Sequence, residues 1–115
     1  MSDYLFAYGT LQPGFAPQAI AKTAAKLRPV GTGYVYGEIY QLDGYPGAVL
    51  DAHSRNRIPG TVLELPEDEA VLRQLDEYEG YDPQSPDASE FVRARQTVEL
   101  NGGGTIECWI YRYNR

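Results

Sequence analysis

Cysteine and histidine occur once each, as Cys108 and His53. A disulfide framework is thereby excluded, and side chains of these two types cannot build a metal site on their own. A nucleophilic Cys–His pair could form only between these two residues. A Ser-based triad has one His to draw on and no Ser in a nucleophile-elbow setting. Basic residues are also few: ten Lys and Arg stand against sixteen Asp and Glu, a formal charge of −6. That balance opposes binding to a phosphate backbone or an anionic membrane surface, so neither nucleic acid nor membrane is an expected partner. No apolar run approaches the roughly 20 residues that span a bilayer, and the chain opens without a charged-then-apolar signal segment. A cytoplasmic location is the expectation.

Tyrosine, glycine and proline are abundant instead. Ten Tyr, twelve Gly and eight Pro in 115 residues favour strands and turns over a helical bundle. The length suits one domain, residues 1–115, with one core. The first strand runs from Tyr4 to Tyr8, with Tyr4, Phe6 and Tyr8 on one face and Leu5 and Ala7 on the other. Both faces are apolar, as in a central strand. It empties into Gly9-Thr10-Leu11-Gln12-Pro13-Gly14. This loop reads either as an ordinary turn or as a cradle whose backbone N–H groups collect a carboxylate or phosphate. The usual phosphate-binding Gly-rich signatures are absent, because Gly9 and Gly14 lack their Lys-Ser/Thr and helix context.

Ala16 to Lys26 predicts a short helix, with Pro17 in its first turn. Pro29 to Leu50 reads as a long strand bent or bulged at Gly37, a turn over Asp43 to Gly47, and a returning strand. Asp51 to Asn56 is polar and places His53 on an exposed loop. Ile58 to Leu65 is a further strand. Tyr81 to Ser89 is a loop, and Phe91 to Leu100 and Thr105 to Tyr113 form a closing hairpin around Asn101 to Gly104. In the last strand Ile106, Cys108 and Ile110 share one face, which makes Cys108 a buried small apolar residue. Trp109, Tyr111 and Tyr113 take the other face.

Glu67 to Glu79 is the clearest helix: acidic residues lead it and Gly80 suits a left-handed C-terminal cap. At 100° per residue, Val71, Leu75, Leu72 and Tyr78 form an apolar stripe, and Glu79 falls about 80° from Val71, inside it. Asp76 lies at the edge of the stripe, and Glu77 points to water. A core-facing carboxylate is costly unless it is paired, protonated or set in a cavity wall. Burial and the negative end of the helix dipole would raise its pKa toward neutrality, as suits a general acid/base. The alternative is that the last turn frays and Glu79 reaches water, Arg93 or Arg95.

In order along the chain, Tyr8-Gly9-Thr10-Leu11, Gly44-Tyr45-Pro46-Gly47, Leu75-Asp76-Glu77-Tyr78-Glu79-Gly80-Tyr81 and Trp109-Ile110-Tyr111 closely resemble the gamma-glutamylcyclotransferase-like (AIG2-like) family. The resemblance covers nearly the whole chain. It implies an α+β fold, a small mixed β-barrel-like sheet with short flanking helices that holds a cavity. It implies a small-molecule γ-glutamyl substrate, no cofactor and no metal. The loop Tyr8, Gly9, Thr10 and Leu11 would hold the γ-glutamyl group through backbone amides. Glu79 would move the proton as the α-amine attacks its own γ-carbonyl, releasing 5-oxoproline and a free amine. Tyr40, Tyr45 and Tyr111 are further candidates for the pocket wall, and Arg93 for substrate contact. Many members carry Tyr-x-Arg after the acidic helix, where this chain has Phe91-Val92-Arg93 and so lacks that hydroxyl. A non-catalytic module binding a small carboxylate metabolite is the alternative function. The chain is either a monomer or a homodimer.

Overall fold

The computed structural model describes residues 3–9, 11–12, 14, 16–42 and 44–114. Its strands are β1 (Tyr4–Ala7), β2 (Arg28–Gln41), β3 (Pro46–Leu50), β4 (Arg57–Glu64), β5 (Phe91–Leu100) and β6 (Thr105–Tyr113), with helices α1 (Ala21–Ala24) and α2 (Glu69–Glu79). The strand order is β3-β2-β4-β1-β6-β5, and a further β2–β5 pairing closes five of these strands into a barrel. β1 is central, antiparallel to β4 and parallel to β6. β3 extends the C-terminal part of β2 beyond the barrel.

Closure depends on one glycine. β2 meets β5 through Gly33↔Leu100 and Tyr34↔Glu99, and a Cβ at Gly33 would collide with the Glu99 carbonyl oxygen. Only a residue without a side chain lets the two backbones come this close. The register shift between β2 and β4 falls between Pro29 and Gly31, so Gly37 is not a bulge in that pairing. Gly37 instead marks the point where β2 leaves β4, last paired at Tyr36↔Arg57, and takes β3 as partner.

The alternation read along the strands separates two cores. Phe6, Val35, Ile58, Val62, Val98, Cys108 and Ile110 fill the barrel together with Ala48. Leu5, Ala7, Leu63, Phe91 and Tyr111 face outward, where Ile20, Leu27, Val71 and Leu75 cover them. β5 follows the same alternation, with Phe91 in the outer core and Val98, of the opposite parity, in the barrel. Cys108 is fully buried in the barrel, and burial, then the Glu107 charge, push its thiol up to about 12. It is an inert packing group.

α1 is shorter than the Ala-rich segment suggested. Residues 18–20 turn by i→i+3 bonds, Ile20 N to Pro17 O and Ala21 N to Gln18 O, before four helical residues. Few side chains here reach the core, so a longer helix would gain little burial to offset its ordering. α2 begins at the Asp68 N-cap, whose carboxylate accepts from Ala70 N. Gly80, at φ 74°, ends it. There Tyr81 N donates to Asp76 O and Gly80 N to Glu77 O, the Schellman pattern that glycine permits. The stop fixes Glu79 on the last turn. The loop between α2 and β5 holds one 3₁₀ turn, Pro86–Ala88. Among the described residues no helix is long and apolar enough to cross a membrane.

Candidate active site

Where the end of β1, the β2–β3 turn and the C-terminal turn of α2 converge, a cavity of about 310 Å³ opens. That size suits a small metabolite. It brings together Tyr8, Gly9, Leu11, Tyr45, Glu79 and Tyr111, residues far apart in the chain. Thr10 lies outside the described residues. The Gly9 loop packs against the β2–β3 turn: a Cβ on Gly9 would stand 3.2 Å from Pro46 Cγ, and Gln12 N donates back to Gly9 O.

Glu79 is partly buried, and no hydrogen bond or ion pair from a described residue reaches its carboxylate. Desolvation, then the charge of Glu90, raise its pKa from 4.5 to about 7. A proton on this group is therefore exchangeable near neutrality, which suits it to both accept and donate. The pairing of Glu79 with Arg93 or Arg95, the alternative left open by periodicity, does not occur. Arg95 reaches Asp3 at 3.4 Å.

Arg93 does not line the cavity, contrary to the expectation that it touches substrate. Its guanidinium is held by Asp76, Nε to Oδ1 at 2.8 Å and Nη2 to Oδ2 at 3.2 Å, and lies 4.4 Å from the Trp109 ring centre. Tyr40 also stands apart, 39% exposed at the edge of the sheet. His53 is on an exposed loop, its backbone N–H bonded to Asp51 Oδ1.

The frame around the cavity is a hydrogen-bonded chain that the sequence did not reveal. Tyr111 donates its hydroxyl to Asp76 Oδ1 at 2.6 Å. Tyr8 donates to the Tyr111 carbonyl at 2.5 Å and accepts from Ala48 N at 3.1 Å. Asp76, at 6% exposure the most buried carboxylate described, thus ties α2 to β6, and Tyr8 ties β6 to β1 and β3. Burial raises the pKa of both phenols. Their hydroxyls are already engaged, so Tyr8 and Tyr111 shape the wall rather than offer spare donors. Phe91 completes it beside Tyr45, ring centres 6.0 Å apart. The sequence placed Asp76 only at the stripe's edge, and its burial follows from Arg93 and Tyr111, 17 and 35 residues away.

Glu90 also lines this cavity and was missed altogether, because it closes a segment that reads as loop. Tyr45 donates its hydroxyl to Glu90 Oε2 at 2.6 Å. Among the described residues no group of three His, Cys, Asp or Glu side chains is arranged to hold a metal ion.

A closed barrel thus carries a small side cavity, with the raised carboxyl of Glu79 in its wall and a glycine-containing loop beside it. The sequence profile of the family described as "Gamma-glutamyl cyclotransferase, AIG2-like" matches residues 5–115, and the chain belongs to that family. A Methanocaldococcus jannaschii protein provisionally named a gamma-glutamylcyclotransferase is 29% identical over 112 residues, 96% of this chain and 84% of its own. Among solved structures, Bacillus subtilis YkqA superposes with a TM-score of 0.74 at 22% identity; the match covers 99% of this chain but only 36% of YkqA. The mouse AIG2-like protein superposes with a TM-score of 0.71 at 21% identity, covering 96% of this chain and 76% of its own. The fold is that of the gamma-glutamyl cyclotransferases, and family membership supports gamma-glutamylcyclotransferase activity in general.

Proposed function

We propose that this protein is a γ-glutamyl cyclotransferase that releases 5-oxoproline and a free amine from a γ-glutamyl amine or small γ-glutamyl peptide, with Glu79 as the general acid/base. The observation that carries this reading is the Glu79 carboxyl: unpaired among described residues, set in the wall of a small cavity and raised to about 7. The Gly9 loop, on the same cavity, offers backbone amides for the substrate carboxylate.

In its ionised form Glu79 takes a proton from the substrate α-ammonium. The freed amine attacks the γ-carbonyl carbon and closes a five-membered ring. Glu79 returns the proton to the departing nitrogen as the original C–N bond breaks. Both protons lost by the α-nitrogen end on the departing amine, which leaves as its ammonium form, and the lactam keeps one N–H. The attack is intramolecular, so the wall needs only to hold the substrate folded, and no nucleophilic side chain is used.

Incubation with a panel of γ-glutamyl amines and γ-glutamyl dipeptides is expected to give 5-oxoproline and free amine in equal amounts, measured by chromatography. If no member of the panel is turned over, yet small carboxylates still raise the melting temperature, the protein is a binding module instead.

A further inference from the structure

The cavity wall is unbalanced in charge. Two carboxylates, Glu79 and Glu90, face it, and among the described residues that line it there is no Lys, Arg or His. Arg93, close by in the outer layer, is already held by Asp76. The two carboxylates also differ in depth: Glu79 is partly buried and Glu90 is exposed, so Glu90 stands at the rim. Its main chain is anchored by Asn114 N at 2.8 Å and its side chain by the Tyr45 hydroxyl at 2.6 Å. A rim charge fixed at both ends imposes a directed field on whatever projects from the cavity.

We propose that Glu90, oriented by Tyr45, sets specificity for the departing amine, selecting an arm that carries a positive charge and rejecting one that carries a carboxylate. The inference rests on the cyclotransferase reading above. The γ-glutamyl part is common to every candidate substrate and fills the depth of the cavity, so the variable arm projects past the rim. An ammonium there meets Glu90 as a counter-charge. A carboxylate meets it with no cation among the described residues of the wall to compensate. The filter therefore acts on the charge of the projecting arm, whichever γ-glutamyl compound carries it.

Three nearly isosteric substrates test this: the γ-glutamyl derivatives of 1,4-diaminobutane, butylamine and 4-aminobutanoate, whose arms are cationic, neutral and anionic. The wild-type protein is expected to rank them in that order by kcat/KM. Glu90→Gln, at an exposed position where the amide can still accept from Tyr45, is expected to reduce the cation-over-anion ratio by about tenfold, the scale of gaining and losing one exposed charge contact. Raising salt should narrow the wild-type ratio and leave that of Glu90→Gln in place. An unchanged ratio overturns the proposal. So does an equal loss on all three substrates, which would assign Glu90 to the shared γ-glutamyl part. If none of the three yields 5-oxoproline, the cyclotransferase reading fails, and the charge filter is then judged by calorimetric binding of the same compounds. A ranking that Glu90→Gln flattens supports it, and no ranking overturns it.

Discussion

Glu79→Gln is expected to lower 5-oxoproline release by about 10²- to 10⁴-fold, the usual worth of a positioned general acid/base, while making the protein more stable at pH 8. The two effects share one cause. The native carboxyl holds its proton up to about 7 and an ordinary one only to 4.5. Across that window the native state therefore binds more protons than the unfolded chain, so stability falls as pH rises through it. Above it the fold carries the whole cost of an ionised, desolvated carboxylate. That cost is roughly 2–3 kcal/mol, since each tenfold change in proton affinity is worth about 1.4 kcal/mol and partial contact with solvent screens some of it. The amide does not titrate. Glu79→Gln should thus match the wild type near pH 4, where both side chains are neutral, and exceed it by several degrees in melting temperature at pH 8. Thermal unfolding at the two pH values checks the sign. A variant less stable than wild type at pH 8 would mean that the ionised carboxylate has a stabilising partner.

Asp76→Ala has the opposite character and is expected to destabilise the fold by about 3–5 kcal/mol, the range for removing one partner of a buried pair. Asp76 is 6% exposed and the Arg93 side chain 15%, so truncation strands a guanidinium and also removes the acceptor of the Tyr111 hydroxyl. Asp76→Asn keeps an acceptor for Tyr111 and for one Arg93 N–H and should cost roughly half as much. Urea unfolding gives the three stabilities. Because Asp76 sits one helical turn before Glu79, its loss also loosens the end of α2 that presents the carboxylate. kcat should therefore fall in Asp76→Asn even at temperatures where the variant is fully folded.

The contrast between these carboxylates explains what could be read from the sequence. Alternation in β1 and β6 separated Phe6, Cys108 and Ile110 from Leu5 and Tyr111, and those faces became the barrel interior and the outer core. Helical periodicity placed Glu79 on the inner stripe, and Gly80 marked where the helix stops. These are local properties, set by a few neighbouring residues. The burial of Asp76 is not local, since it depends on Arg93 and Tyr111 arriving from β5 and β6. Arg93 was expected at the substrate through the resemblance carried by Phe91-Val92-Arg93, and its bond to Asp76 is likewise not local. Glu90 gave no periodic signal at all, because its place at the cavity rim follows from the path of the chain between α2 and β5. The Ala-rich stretch before β2 erred the other way, its propensity promising more helix than the available burial supports.

The most direct test of the claim that Glu79 carries the proton is the pH dependence of kcat/KM for 5-oxoproline release between pH 5 and 8. Only ionised Glu79 can accept the α-ammonium proton, so the rate should rise through a single ionisation near 7, dropping about tenfold for each pH step below it. The midpoint should move lower in Glu90→Gln, which removes the second cause of the raised pKa. A flat profile, or the same midpoint persisting in the residual activity of Glu79→Gln, would contradict the account and assign the proton transfer to another group.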